Sequence, residues 1–518
     1  MEEGEILKKK DMNMQTKNRG FLYQVERIGN KLPHPFYIFL ILCFILIVVS
    51  YFTEGIKIVH PSSGKTIAMK NLATADGFRW MLDSMTKNFI NFRPLGMVLV
   101  MMLGLGLAEE VGVVNATLRK VVCGAPSSLV TAAVVFAGVM GNIASSASFV
   151  VIPPLGGVVF AAMGRNPIAG IAAGFAGVAA GLSANLLIVG TDVLTASITE
   201  DAARIISPNI IVHPAVNWYF MCVSVFVLVA VGTLICEKVV EPRLGKYDFI
   251  NAEEDVVNET TNMELSDIEK KGLRRSAIAA LIYIVVIAML VIPSNGVLRD
   301  PKLHTIVPSP FLKSMVPLLL GLFVTAAIPY GITVKTIRGS VDVVKHMATS
   351  MKGFASFIVL CFAAGQFVAY FKWTNLSILM AVKGGAFLQA THFTGLPLLI
   401  CFVLVVSFIN FFIGSSSAKW AILAPIFVPM FMQVGFSPAL TQVAYRIADS
   451  VTNSISPLEP FLPFIIAAMQ RYSKDTGIGT VIATMLPFAG AFLVTWTVLL
   501  VVWYLTGLPL GPGAGLFM

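Results

Sequence analysis

Nine long apolar runs decide what this chain can fold into. They lie at 36–53, 95–111, 167–197, 217–236, 276–293, 314–330, 353–371, 438–470 and 480–506. As helices rising about 1.5 Å per residue, they approach or exceed the roughly 30 Å hydrocarbon core of a bilayer. Hydrophobic residues make up 56% of the chain and charged residues only 13%, too little polar surface for a water-soluble globule. This argues against a cytosolic enzyme, a secreted scaffold or a disordered chain. It predicts an all-α polytopic membrane protein of nine transmembrane helices, because only helices and closed barrels satisfy their backbone in lipid. The net charge of +9 sits in scattered loops, the pattern of cytoplasmic membrane loops and not of a nucleic-acid surface.

Two further apolar segments, 127–163 and 397–433, are broken in the middle by small polar residues. The breaks read Gly-Asn-Ile-Ala-Ser-Ser-Ala-Ser (141–148) and Gly-Ser-Ser-Ser-Ala-Lys-Trp (414–420). Polar backbone at membrane depth survives only when buried in protein or lining a wet cavity, so both segments are expected to be re-entrant hairpins. With the N-terminus inside, 23 Lys and Arg fall in cytoplasmic segments and 12 outside, which favours an inside N-terminus and an outside C-terminus. The outside segment 54–94 is basic but long, and long loops translocate largely regardless of charge. Residues 1–35 are polar and basic, and the first run, 36–52, lacks an A-x-A-like exit, so it reads as a retained span. Cys43, Cys123, Cys222, Cys236, Cys361 and Cys401 form no C-x-x-C pair and read as small hydrophobes, not as a disulfide or metal framework. The sequon at Asn258 falls on a loop expected to be cytoplasmic, where it carries no meaning.

Shifted by 271 residues, the sequence partly matches itself without a gap. Ser145 meets Ser416, Ser146 meets Ser417, Pro154 meets Pro425, Gly164 meets Gly435, Pro167 meets Pro438 and Ser183 meets Ser454. An odd number of crossings separates the copies, so they face opposite sides of the membrane. Inverted repeats with broken segments at matching positions point to a secondary transporter. The predicted organisation is a cytoplasmic segment 1–35, a first inverted repeat 36–236, a cytoplasmic linker with a connecting span over 237–311, a second repeat 312–508, and a short extracytoplasmic end 509–518.

The candidate site lies where the hairpin tips meet two interrupted spans. The interruptions read Gly-Leu-Ser-Ala-Asn (181–185) and Ser-Val-Thr-Asn-Ser-Ile-Ser-Pro (450–457). Pro457 removes a backbone donor and disfavours helix at Ser456. Half-helix ends attract anions, and freed carbonyls hold small cations. The expected substrate-binding residues are Asn142, Ser145, Ser146, Asn185, Ser416, Ser417, Trp420, Arg446, Asn453, Ser454 and Pro457. Arg446 would grip a carboxylate bidentately. Asp192, Asp449 and Glu459 are candidate carriers of a proton or other coupling ion. Arg446 and Asp449 stand one helical turn apart, so an ion pair between them is the structural alternative; for Asp192 the alternative is a helix cap near the outer surface. Lys419 either neutralises an anionic substrate or snorkels, and Trp420 either stacks on an aromatic ring or simply packs. Neither the histidines nor any metal cluster carries a role.

Several segments carry a resemblance that spans nearly the whole chain. They include Gly-Asn-Lys-Leu-Pro-His-Pro (29–35), Glu-Lys-Val-Val-Glu-Pro (237–242), Phe-Val-Ala-Tyr-Phe-Lys-Trp-Thr-Asn (367–375), Gly-Ser-Ser-Ser-Ala-Lys-Trp-Ala (414–421), Ala-Pro-Ile-Phe-Val-Pro-Met (424–430) and Ala-Tyr-Arg-Ile-Ala-Asp-Ser-Val-Thr-Asn (444–453). In these the chain resembles the AbgT family of bacterial p-aminobenzoyl-glutamate transporters. The resemblance implies a homodimer of nine-span protomers with two hairpins in the bacterial inner membrane. It also implies transport of p-aminobenzoyl-glutamate or proton-driven export of sulfonamide antimetabolites. It assigns functional weight to Asp192, Ser417, Trp420, Pro438, Arg446, Asp449 and Pro457. The chain departs from the family pattern at Ser146, where relatives often carry an acid, and at Glu459, where an uncharged residue is expected.

The leading expectation is export of p-aminobenzoyl-glutamate-like or sulfonamide compounds driven by the proton motive force, with no cofactor beyond the coupling ion. The alternative is an importer of the same compounds coupled to H⁺ or Na⁺. An intramembrane protease using Asp192 and Asp449 lacks a Gly-x-Gly-Asp context. A channel is the remaining competitor.

Overall fold

The structure is a computed structural model that describes residues 33, 35–61, 64–144, 147–247, 265–307 and 309–518. His34, Ser145, Ser146, nearly all of the N-terminal segment and the sequon lie outside the described residues. Helices dominate: α1 (Pro35–Phe52), α2 (Ala75–Ile90), α3 (Arg93–Glu110), α4 (Val113–Cys123), α5 (Val130–Met140), α6 (Ala147–Ala162), α7 (Pro167–Phe175), α8 (Gly190–Ala203), α9 (Trp218–Ile235) and α10 (Asp267–Val291) form the first part. The second part comprises α11 (Met315–Val334), α12 (Ser340–Lys352), α13 (Ala355–Trp373), α14 (Leu376–Ala390), α15 (Gly395–Ile409), α16 (Ser416–Gln433), α17 (Pro438–Asn453), α18 (Leu462–Gln470) and α19 (Ile478–Thr506). Among the described residues, 7 helices are long and apolar enough to cross a membrane, or up to 8 if a bent pair at 113–143 counts. They match seven of the expected crossings. The other two, 167–197 and 438–470, are each divided by a break; the first opens at Gly181, as the interruption 181–185 predicts, whereas the second opens at Ser454, so Ser450–Asn453 of the expected interruption remain helical.

The segment 54–94 is more ordered than the loop expected there. It holds an antiparallel pair, β1 (Lys57–Val59) and β2 (Thr66–Ala68), and then α2, capped by the Thr74 side chain. Three-residue strands are too short to show a period, and α2 carries too many polar residues to register as an apolar run.

The self-similarity at 271 residues is present in the fold. α6 ends at Ala162 and α16 at Gln433; α7 begins at Pro167 and α17 at Pro438. Gly164 and Gly435, equivalent in the two turns, both take positive φ (68° and 91°). Asn166 and Ser437 each cap the following helix with a side-chain oxygen, and a proline follows each cap at the first helical position. α7 continues as a π-helical turn, Ala176–Ala180, before its break at 181–189. The second break runs over 454–461.

The two copies pack differently. A Cβ on Gly170 would stand 2.2 Å from the Gly156 carbonyl oxygen, and one on Gly177 would stand 2.6 Å from that of Val135. Helices α5, α6 and α7 therefore meet backbone to backbone through glycines, the close approach small residues permit in a membrane. The second copy has Phe427 and Thr441 at the places of Gly156 and Gly170, so the glycine pair is not repeated there. α7 and α17 are buried along their whole length and form the centre. α10 by contrast exposes most of its apolar surface, as a lipid-facing helix does.

Candidate substrate and ion site

A helix buried on every side offers its charged residues no water, so each must find a partner in protein. α17 carries Arg446 and Asp449, and they do not pair with each other. Arg446 Nη2 lies 2.6 Å from Asp192 Oδ1 on α8, and it donates to the Ser183 carbonyl in the first break at 2.8 Å. Asp449 Oδ1 lies 2.6 Å from Lys419 Nζ on α16. The ion pair weighed for positions 446 and 449 is thereby corrected. Residues one turn apart meet only by bending along the helix surface, whereas a facing element presents the opposite charge head-on.

The Arg446 centre joins the two halves. Asp192 is buried, and its Oδ2 also accepts from the Val189 N–H at 2.8 Å, so it caps α8 while pairing with Arg446. Asn142, beside the first tip, donates to the Val139 and Ala184 carbonyls at 3.2 and 3.5 Å. Several buried polar atoms here have no protein partner: Arg446 Nε and Nη1, Asn142 Oδ1, both amide atoms of Asn185, and Thr191 Oγ1. Arg446 is 1% exposed, and three of the five N–H groups of its guanidinium find no acceptor among the described residues.

The Asp449 centre belongs to the second half. Ser416 Oγ donates to Asp449 Oδ2 at 2.6 Å, and the Tyr445 hydroxyl, which donates to the Ser416 carbonyl at 2.6 Å, stands 3.3 Å from Oδ1. Asn410 accepts from Lys419 and presents its amide nitrogen to the Asp449 carbonyl, Thr452 Oγ1 and Asn453 Oδ1 at 3.0, 2.7 and 2.8 Å. Glu459 is buried in the second break, near Lys419 and Asp449. Ser417 faces Ser415 at 3.2 Å and lines a cavity of about 480 Å³ with Gly414, Leu458 and Pro460 beneath the start of α1.

The same chain matches, over residues 20–518, the model of the AbgT putative transporter family. The chain belongs to the AbgT family. It is 43% identical over 491 residues to the p-aminobenzoyl-glutamate transport protein of Escherichia coli K12, covering 94% of this chain and 95% of that one. Two solved structures are similar throughout. The Alcanivorax borkumensis YdaH transporter matches at a TM-score of 0.87 and 38% identity, over 93% of this chain and all of that one. Neisseria gonorrhoeae MtrF, from a class of antimetabolite efflux pumps, matches at 0.90 and 41%, over 96% of this chain and all of that one. The AbgT family and these relatives are transporters, not enzymes. The Asp192–Asp449 protease pair also fails on geometry, since each carboxylate faces a cation.

In this AbgT-family chain the fold brings most of the expected residues to two adjoining centres. Asn142, Asn185, Asp192 and Arg446 form one; Ser416, Lys419, Asp449, Asn453 and Glu459 form the other. Ser454 ends α17, its hydroxyl donating to the Val451 carbonyl at 3.2 Å, and Pro457 sits in the second break. Trp420 is buried and stacks on Tyr445 at 4.2 Å, and its Nε1 donates to Thr199 Oγ1 at 3.0 Å. It packs between the halves and shows no open face to a ligand in this conformation. Lys419 is fully buried, which rules out snorkelling. Asn410 and Tyr445 were not singled out from sequence, and Ser183 was placed in the first interruption without a role of its own. Asn410 left a signal, a lone amide ending an apolar arm; Ser183 contributes only a carbonyl, which any residue has.

Proposed function

We propose that this chain is a secondary active transporter that exports p-aminobenzoyl-glutamate-like compounds or sulfonamide antimetabolites across the bacterial inner membrane at the expense of the proton gradient. The observation that carries this reading is the buried guanidinium of Arg446, which keeps Nε and Nη1 unpartnered between the two halves. Buried N–H donors without a protein acceptor cost free energy, and an anionic acceptor such as a carboxylate would compensate them through charge-assisted hydrogen bonds. The family relatives named for p-aminobenzoyl-glutamate transport and antimetabolite efflux support the cargo class. In this reading nine spans, two re-entrant hairpins and an inverted repeat (36–236 and 312–508) enclose the site in each protomer of a homodimer with its N-terminus in the cytoplasm. The arms α5, α6 and α15, of 11, 16 and 15 residues, are shorter than the helices counted as spans, and α16, though 18 residues long, opens on two serines and a lysine and contains two prolines, which supports the re-entrant reading.

Coupling falls to the second centre. Lys419 faces two carboxylates, Asp449 and Glu459, and the excess negative charge in the membrane is relieved when a proton joins the cluster. One charge crossing 100 mV supplies about 2.3 kcal/mol, enough for roughly fiftyfold accumulation. The cavity of about 480 Å³ beside Ser417 is the path of entry in this conformation. Flux of labelled p-aminobenzoyl-glutamate and a sulfonamide into proteoliposomes, with imposed proton or Na⁺ gradients, tests the reading. Proton-driven antiport is expected. Symport with either ion gives the import reading, and flux that ignores both gradients refutes coupling. Arg446→Ala and Asp449→Asn should each reduce flux to that of protein-free vesicles; parental flux in either sinks the site.

A further inference from the structure

α17 has a second end, and it opens into a different cavity. About 310 Å³ of space is walled by the first residues of α17, the segment 210–216, Val307, Ser309, Leu312 and Lys313, and the C-terminal strap 513–518. The strap is held in place: the Ser437 N–H donates to the Leu516 carbonyl at 2.9 Å, and Ser437 Oγ donates to that of Gly515 at 2.7 Å. Arg446 stands eight residues further along α17, about 12 Å at the helical rise.

The groups that line this cavity are of complementary kinds. Ser437, Pro438 and Ala439 bring the positive end of a 16-residue helix. Lys313 is exposed and makes no salt bridge among the described residues. Ser309 is 2% exposed, and its Oγ has no partner. His213 is 9% exposed; its Nε2 lies 2.9 Å from the Pro512 carbonyl, so that nitrogen carries the hydrogen, and Nδ1 is left as an unpartnered acceptor. Burial pushes the His213 pKa below the usual imidazole value, which keeps the ring neutral and Nδ1 accepting. Leu312, Val216 and Phe517 supply apolar walls.

We propose that this cavity is a second ligand site, which takes an organic carboxylate bearing an N–H donor, the chemistry of an acylated amino acid. The carboxylate meets Lys313 and the start of α17, the N–H meets His213 Nδ1, and the Ser309 hydroxyl bridges. The cargo class rests on the function proposed above; the pocket does not. Cargo then has a station on the face where α17 begins, in line with the Arg446 centre.

The test is equilibrium binding of p-aminobenzoyl-glutamate to the full chain in phosphatidylcholine nanodiscs, read as moles bound per chain. Two are expected for the parent, one for Lys313→Glu, and one for Arg446→Ala. Ser309→Ala should weaken the Lys313-dependent event about tenfold, the scale of one lost hydrogen bond. Benzoate, which lacks the N–H, should compete more weakly there. One mole per chain in the parent with no change in Lys313→Glu overturns the proposal. So does displacement of the probe by phosphatidylglycerol in the disc, which would reassign the cavity to lipid. If Lys313→Glu loses one mole and a folded Arg446→Ala loses none, this site stands and the central assignment falls. If Arg446→Ala does not fold, the parent and Lys313→Glu still decide.

Discussion

Arg446 illustrates how a buried charge divides its interactions. Its Nη2 is spent on Asp192 and Ser183, while Nε and Nη1 are held open. Removing one member of a buried pair strands the other, which costs about 3–5 kcal/mol, whereas removing both costs less. Asp192→Asn and Arg446→Gln should therefore each lower stability, and the double variant should be less destabilised than the sum by about 1–3 kcal/mol. Thermal unfolding in detergent checks this; strict additivity would mean the pair does not form. The residue types at this centre were legible in the sequence, because Asp, Arg and Asn inside apolar runs rarely lack a purpose. Their pairing was not legible. Arg446 and Asp449 sit one turn apart in sequence, yet their partners come from α8 and α16, and helical spacing carries no information about which element lies opposite. Trp420 shows the same limit: the sequence left open whether it stacks on an aromatic ring of the substrate or packs, and the ring closes against Tyr445.

Among elements, the breaks were the most legible feature. Gly181–Asn185 and Ser450–Pro457 interrupt apolar runs with small polar residues and a proline, and helices end there in the structure. β1, β2 and α2 were not legible, since a short polar hairpin has no membrane-scale signature. The glycine seam of the first copy also needed coordinates, because a glycine in an apolar run reads the same at a contact as in lipid. Gly170→Ala should lower stability by about 1–3 kcal/mol, the range for overpacking, because Gly156 backbone leaves no room. Gly490→Ala in α19 meets nothing within 4 Å and should be neutral or slightly stabilising. Equal melting temperatures for the two variants would contradict the seam.

At the scale of the molecule, the fold sets the first break and α8 against α17 from a distant stretch of the chain. Asp192 and Arg446, 254 residues apart, are its junction. This junction gives the chain an unusual divisibility. Cut within 248–264 and made from two genes, each fragment keeps one of the two divided apolar segments, but each also keeps one stranded charge. Neither fragment alone should carry cargo into vesicles. Expressed together they should find each other and recover measurable flux, with the guanidinium of one polypeptide acting as counter-ion to the carboxylate of the other. A half-protein competent by itself would show that the ancestral unit needed no sister; dependence of each on the other would mark the fused chain as an obligate partnership between two copies of one older fold.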